Sequence, residues 1–131
     1  TLTDTNYKLI VKSQKDKLLM LRLLRELRIN DVGVYVIASE TAKLPDDIVD
    51  VLRKTTRIQV YVMLDTDNTG LTSAIEYEKN YGFIALFMTK GYSAKDPTDL
   101  VRITDYNFVK KKFANMYLNE IVNGKKGGVV P

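Results

Sequence analysis

The chain contains neither cysteine nor histidine among its 131 residues. These two absences exclude thiolate and imidazole chemistry, a zinc site built from Cys and His, and any disulfide framework. Catalysis or binding must therefore depend on carboxylates, hydroxyls and amines. Because the missing cysteines suit a reducing compartment, we expect a cytoplasmic location.

Long apolar runs and a large excess of one charge are also lacking. No run approaches the roughly 20 residues that cross a bilayer, and no signal peptide is visible, so no membrane contact is expected. Twenty Lys and Arg against 16 Asp and Glu give a net charge of +4, which modestly favours a polyanionic partner. The length predicts one domain over residues 1–123, and residues 124–131 are predicted to form a flexible tail.

Four short runs rich in Val, Ile, Tyr and Phe are typical of β-strands. The second and third runs are almost continuously apolar, which indicates strands covered on both faces, as in a parallel sheet. The predicted fold class is therefore α/β, with about four mainly parallel strands and helices on both faces. The predicted strands are Tyr7–Val11, Val32–Ala38, Ile58–Leu64 and Phe83–Met88.

Helix signals separate these runs. Ser13–Asp16 has the form of a capping box before an apolar stripe at helical spacing, and Pro45 followed by two acids begins a second helix. A third helix is predicted over Gly70–Tyr81, ending at Gly82, and a last one over about residues 105–122. The residues predicted to face inward from the third helix are Leu71, Ala74 and Ile75.

The strand ends carry the polar residues that a ligand site needs. In a parallel sheet the carboxyl ends of the strands lie along one edge, and ligands bind in the crevice there. The polar residues at this predicted edge are Lys12, Ser13, Ser39, Glu40, Asp65, Thr66, Asp67, Asn68, Lys90, Lys95 and Asp96.

Asp65 and Asp67 are the strongest signal at this edge. Two carboxylates this close would repel each other unless a cation lies between them, and oxygen ligands favour Mg²⁺ or Mn²⁺. The pair therefore predicts a metal site. The alternative is that Asp67 and Asn68 form a solvated turn while Thr69 caps the next helix, which leaves Asp65 without a role.

Two other protein families share parts of this segment. Asp65, Asp67, Thr69, Gly70 and Glu76 fit the positions of an EF-hand loop, although a predicted strand precedes the loop where an EF-hand has a helix. An apolar strand followed by Asp-x-Asp-x-Thr also resembles the haloacid-dehalogenase phosphatases. In that family the motif follows the first strand, whereas two βα units precede it here.

Three segments in order, Leu9–Asp16, Leu64–Gly70 and Lys95–Leu100, resemble the TOPRIM domain of bacterial and phage-type DNA primases. The resemblance covers roughly residues 7 to 103. It implies a TOPRIM-like Rossmannoid fold in which acids gather around Mg²⁺ or Mn²⁺ for nucleotidyl transfer in primer synthesis. The implied metal ligands are Asp16, Asp65, Asp67 and Asp96.

The first motif departs from the usual pattern of the family, which has Glu-Gly where this chain has Lys12-Ser13. A Lys-Ser-x-Lys-Asp form resembles a variant of phage-type primase domains, so we interpret Lys12 as a phosphate ligand. Glu40 at the end of the second strand is a candidate replacement for the missing acid. The catalytic candidates are thus Lys12, Glu40, Asp65 and Asp67, and the candidates for nucleotide binding are Lys12, Ser13, Lys15 and Lys95.

Three functions remain open. The first is the catalytic core of a primase, with single-stranded DNA and nucleotides as ligands and other domains of a larger primase or a helicase as partners. The second is a binding module for nucleic acid or nucleotides without turnover, and the third is a TOPRIM-type nuclease. Asp16 and Asp96 also suit helix caps, and Lys110–Lys112 suits either a solvated helix face or a nucleic-acid contact.

Overall fold

The computed structural model describes residues 3–37 and 43–123. In chain order the elements are β1 (Thr5–Val11), α1 (Gln14–Glu26), β2 (Val32–Val36), α2 (Asp46–Lys54), β3 (Thr56–Met63), α3 (Asn68–Tyr81), β4 (Ile84–Ala85), α4 (Pro97–Ile103), α5 (Tyr106–Met116) and a π-helical turn (Tyr117–Val122) that continues α5.

The four strands form one parallel sheet in the order β2-β1-β3-β4. Val11 of β1 lies opposite Val36 of β2 and Met63 of β3. The three longest strands therefore end level with one another. The loops that follow them begin along one edge of the sheet, which is where ligands bind in folds of this kind.

Helices cover both faces of the sheet, which confirms the predicted α/β class. Leu9 and Val11 pack with α1, α4 and α5 on one face, whereas Ile10 packs with α2 and α3 on the other. The separation follows from right-handed crossovers, because the chain moves from β1 to β2 in one direction and then back across β1 to β3 and β4.

Local sequence signals position most of the helix ends. The Ser13 side chain caps α1 by accepting a hydrogen bond from the Asp16 N–H at 3.2 Å. Gly82 ends α3 in the left-handed conformation, with φ of 73°, which glycine adopts without a steric penalty. Both ends agree with the predictions.

Two details differ from the predictions. Ile75 was expected to face inward but is 65% exposed, because the buried face of α3 is formed instead by Ser73, Ala74 and Tyr77. The fourth strand is shorter than predicted, since only Ile84 and Ala85 pair with β3 at the edge of the sheet.

No helix within residues 3–37 and 43–123 is long and apolar enough to cross a membrane. The predicted tail, 124–131, lies outside the described residues.

Candidate functional site at the carboxyl edge of the sheet

The site lies where the loops after β1 and β3 meet. These strands are neighbours in the centre of the sheet, but α1 leads away from β1 on one face and α3 leads away from β3 on the other. This divergence opens a crevice between the two loops at the topological switch point.

An ion pair connects the two loops. Lys12 Nζ donates a hydrogen bond to Asp65 Oδ2 at 2.9 Å. The Asp65 side chain is 3% exposed, while that of Lys12 is 36% exposed. The buried carboxylate is therefore balanced by an ammonium group that solvent still reaches. The sequence predicted that a metal ion supplies the positive charge beside Asp65, and Lys12 supplies part of that charge.

Asp67 has a different partner from Asp65 and begins a helix. Its side chain caps α3 by accepting a hydrogen bond from the Gly70 N–H at 2.8 Å, which is a standard role for Asp at this position. The interpretation that gave this cap to Thr69 is therefore wrong. The two acids of the Asp-x-Asp segment have separate partners.

Asp16 connects α1 to α4. Its Oδ1 accepts hydrogen bonds from the Thr98 N–H at 3.2 Å and the Thr98 hydroxyl at 2.6 Å, and its Oδ2 accepts one from the Ser13 hydroxyl at 3.0 Å. Only 2% of Asp16 is exposed. The contact with Ser13 lies within the predicted cap of α1, whereas the contact with Thr98, which joins α1 to α4, was not predicted.

Asp96 caps α4 and lies in the electrostatic field of the other acids. It accepts a hydrogen bond from the Asp99 N–H at 2.8 Å. Burial raises the pKa of Asp96 above its usual value, and the negative charges of Asp16, Asp65 and Asp99 raise it further, against the lowering by that hydrogen bond. Negative charge from three separate segments is therefore concentrated at this edge.

Backbone and threonine contacts join the Asp65 loop to the segment before Asp96. The Thr66 N–H donates to the Lys95 carbonyl at 3.0 Å, and the Thr66 hydroxyl donates to the Ala94 carbonyl at 3.4 Å. The buried Thr89 donates its hydroxyl to Thr66 Oγ1 at 3.3 Å. The sequence placed Thr66 at this edge without a partner and did not indicate Thr89, because a Thr in a loop carries no signal of its partner.

The remaining predicted site residues differ in their exposure and in whether the structure describes them. Lys95 is exposed beside Thr66, Lys15 is exposed on the first turn of α1, and Ser13 is partly buried as the cap of α1. Ser39 and Glu40 lie outside the described residues. Within the part of the chain that the structure describes, no group of three or more acidic side chains converges closely enough to hold a metal ion.

The structure also bears on the two alternative families. The segment before Asp65 is strand β3 rather than a helix, and two βα units precede it. The first feature differs from an EF-hand, and the second differs from the motif order of the haloacid-dehalogenase phosphatases.

Comparisons with protein-family models, curated proteins and solved structures give no match. The class that the fold defines is a parallel α/β protein with a charged crevice at the strand ends. Any narrower assignment depends on the chemistry of this site.

Proposed function

We propose that this chain is the metal-dependent nucleotidyl-transfer domain of a DNA primase or a primase-like replication protein. The observation that carries the proposal is that Lys12, Asp16, Asp65 and Asp96, from three separate segments, share the carboxyl edge between β1 and β3. These are the segments in which the resemblance to primase TOPRIM domains lies.

The acids suit a divalent cation for an electrostatic reason. Asp96 and Asp65 are buried or partly buried among like charges, and a nearby cation relieves such repulsion. Mg²⁺ or Mn²⁺ bound there would neutralise charge on a phosphate group. Asp65 and Asp96 are the side chains that would hold it, while Asp16 keeps α1 and α4 in register and Asp67 fixes the start of α3.

Lys12 is the residue that would contact the substrate. Its ammonium group lies beside Asp65 and its side chain is 36% exposed, which suits a contact with a phosphate oxygen at the edge of the crevice. A lysine at such a place acts as a point charge for phosphate. Lys15 and Lys95, both exposed, add positive charge at the same edge.

A second function has its own support. The ion pair between Lys12 and Asp65 already balances the buried carboxylate, which favours a module that binds nucleotides or single-stranded DNA without metal and without turnover. A nuclease would use the same residues as a primase, and analysis of the reaction products separates those two.

Calorimetric titration with Mg²⁺, Mn²⁺ and Ca²⁺ tests the metal site. We expect Mg²⁺ or Mn²⁺ to bind the wild-type chain, and the Asp65→Asn variant to bind at least about tenfold more weakly, equivalent to about 1.4 kcal/mol. The matched control is Asp50→Asn, because Asp50 is exposed on α2. Equal binding by the wild-type chain and Asp65→Asn, or a strong preference for Ca²⁺ over Mg²⁺ and Mn²⁺, would contradict the assignment.

Titration with a nucleoside triphosphate, with and without Mg²⁺, separates the two leading functions. The primase proposal predicts binding that depends on metal, whereas the binding module predicts affinity without it. In either case Lys12→Gln is expected to weaken binding about tenfold, the usual effect of losing one charge-assisted contact. Lys54→Gln, at an exposed position of α2, is the control and should leave the affinity unchanged.

A further inference from the structure

An open cavity of about 470 Å³ adjoins the site on the side of α3. Its lining includes Thr66 at one end and the rings of Phe87 and Tyr92. These rings are 37% and 39% exposed, although aromatic side chains of this size are usually buried. We name this surface the aromatic groove and define it by Thr66, Phe87, Lys90 and Tyr92.

The backbone holds the two rings in place. The Lys90 N–H donates to the Phe87 carbonyl at 3.3 Å, and the Tyr92 N–H donates to the Thr89 carbonyl at 3.1 Å. Gly91 provides the turn with a φ of 89°, a conformation that favours glycine. Because Thr89 also donates to Thr66, the aromatic groove is joined to the loop that carries Asp65.

Positive charge accompanies the rings. Lys90 lines the cavity, and among the described residues of its lining there is no acid. Lys112 Nζ lies 5.0 Å from the centre of the Tyr92 ring, within the range of a cation–π contact. Phe108 supports the same ring edge-on at 5.8 Å.

The groove continues beyond Phe87. A second cavity of about 190 Å³ shares Phe87 and extends over Lys112, Asn115, Asn119 and one acid, Glu120, on the last helix. Lys110, by contrast, pairs with Glu26 at the end of α1 at 3.2 Å. Within the basic run, Lys110 therefore contacts α1, whereas Lys112 lies beside the groove. The surface thus offers two partly exposed aromatic residues followed by a lysine, two amides and one carboxylate at its far part.

We propose that the aromatic groove binds single-stranded nucleic acid, with a base stacked on Phe87 and Tyr92 and the phosphates beside Lys90 and Lys112. Ring faces next to lysines are complementary to bases joined by phosphates, whereas an apolar peptide would gain nothing from the lysines. The inference deepens the proposed function and rests on it, since it gives the template strand a path that ends at Thr66 beside Asp65.

Fluorescence anisotropy with two labelled probes tests the stacking. One probe is oligothymidylate of about ten nucleotides, within the usual site size for single strands, and the other is an abasic strand of equal length. Both titrations use the full chain in a chelator, so the result is independent of any metal site. The variants are Phe87→Ala and Tyr92→Ala, with Tyr92→Phe as the conservative replacement. Leu118→Ala is the control, because Leu118 is an exposed apolar residue outside the groove.

Each alanine variant is expected to bind oligothymidylate between about 5-fold and 150-fold more weakly, from the usual range for one stacked base. Affinity for the abasic strand should change little, and Tyr92→Phe should bind as the wild type does. Equal losses on both probes, no loss, or no binding by the wild-type chain would overturn the proposal. So would light scattering that shows a self-associated chain dissociating in the alanine variants. Equal metal binding by the wild-type chain and Asp65→Asn, with intact stacking, would contradict the proposed function alone.

Discussion

The two lysines of the β1 segment, Lys8 in the middle of the strand and Lys12 just past its end, are used in different ways. Lys8 is fully buried, and its Nζ donates to the Thr3 carbonyl at 2.9 Å, the Thr55 carbonyl at 2.6 Å and the Thr5 hydroxyl. Lys12, just past the end of β1, pairs with Asp65 and keeps 36% of its side chain exposed.

The difference separates a structural lysine from one suited to a ligand. An ammonium group has three N–H donors, and at Lys8 all three have neutral protein acceptors, so no capacity remains for a ligand. Burial lowers the pKa of Lys8, because removal from water disfavours the charged form. The partly exposed Lys12 side chain lies beside the Asp65 carboxylate. A phosphate would add a negative charge next to Lys12, and a cation would add a positive charge next to Asp65.

Replacing Lys8 should have the largest effect on stability. Lys8→Ala leaves the Thr3 and Thr55 carbonyls and the Thr5 hydroxyl without their donor and opens a gap beside Gly33, whose Cα faces the Lys8 side chain. We expect the free energy of unfolding to fall by about 3 kcal/mol. Urea unfolding, followed by circular dichroism, measures the change.

Lys12→Ala is the matched control for that measurement. Lys12 is 36% exposed but its partner Asp65 is buried, so water replaces only part of the lost contact and the expected loss is about 1–2 kcal/mol, smaller than for Lys8→Ala. If the two variants lost equal stability, the distinction between Lys8 as a structural lysine and Lys12 as one suited to a ligand would be wrong.

Asp16 tests whether the carboxyl edge also contains structural acids. Asp16→Ala removes the acceptor of the Thr98 N–H and hydroxyl, and it should lower the free energy of unfolding by about 2 kcal/mol. Because both Asp16 oxygens already hold helix ends, metal binding by the folded variant should change less than in Asp65→Asn.

A double-mutant cycle with Thr98→Val distinguishes this role from direct ligation. A structural role predicts that the two stability losses are not additive, since each variant removes the same hydrogen bond. Additive losses together with abolished metal binding would identify Asp16 as a ligand instead.

The sequence predicted the sheet and its helices well because their signals are local. Continuous apolar runs, the Ser13 cap and the Gly82 stop each act within a few residues. Ile75 was wrongly predicted to be buried, since one helix turn with apolar residues on two sides does not reveal which side meets the sheet.

The site could be predicted only in outline, because its contacts join residues far apart in sequence. The prediction considered Asp65 and Asp67 as a pair, but the partner of Asp65 is Lys12, 53 positions away. The aromatic groove was missed for a similar reason. Phe87 fell within a predicted strand, yet only Ile84 and Ala85 pair with β3, and beyond them Phe87 is partly exposed between the buried Leu86 and Met88.

Asp96 should give the smallest effect and a distinctive pH dependence. Its pKa is raised in the folded chain, with burial as the largest cause, so the folded state takes up a proton before the unfolded state as the pH falls. Ionised Asp96 therefore lowers stability above its raised pKa, and that penalty disappears as the pH falls through the raised pKa toward 3.8. Asp96→Asn preserves the cap, and we expect it to be slightly more stable than the wild type at pH 7 and equal to it near pH 4.

Asp105→Asn is the matched control, because Asp105 caps α5 through the same kind of bond, from the Phe108 N–H at 2.8 Å, at an exposed position. Its effect on thermal unfolding should be small at both pH values. Addition of Mg²⁺ should then stabilise the wild-type chain more than Asp96→Asn, since a bound cation removes the repulsion that the asparagine has already removed. If Asp96→Asn were instead less stable at pH 7, the carboxyl edge would not be a place of unbalanced negative charge, and the contrast with the satisfied Lys8 would fail.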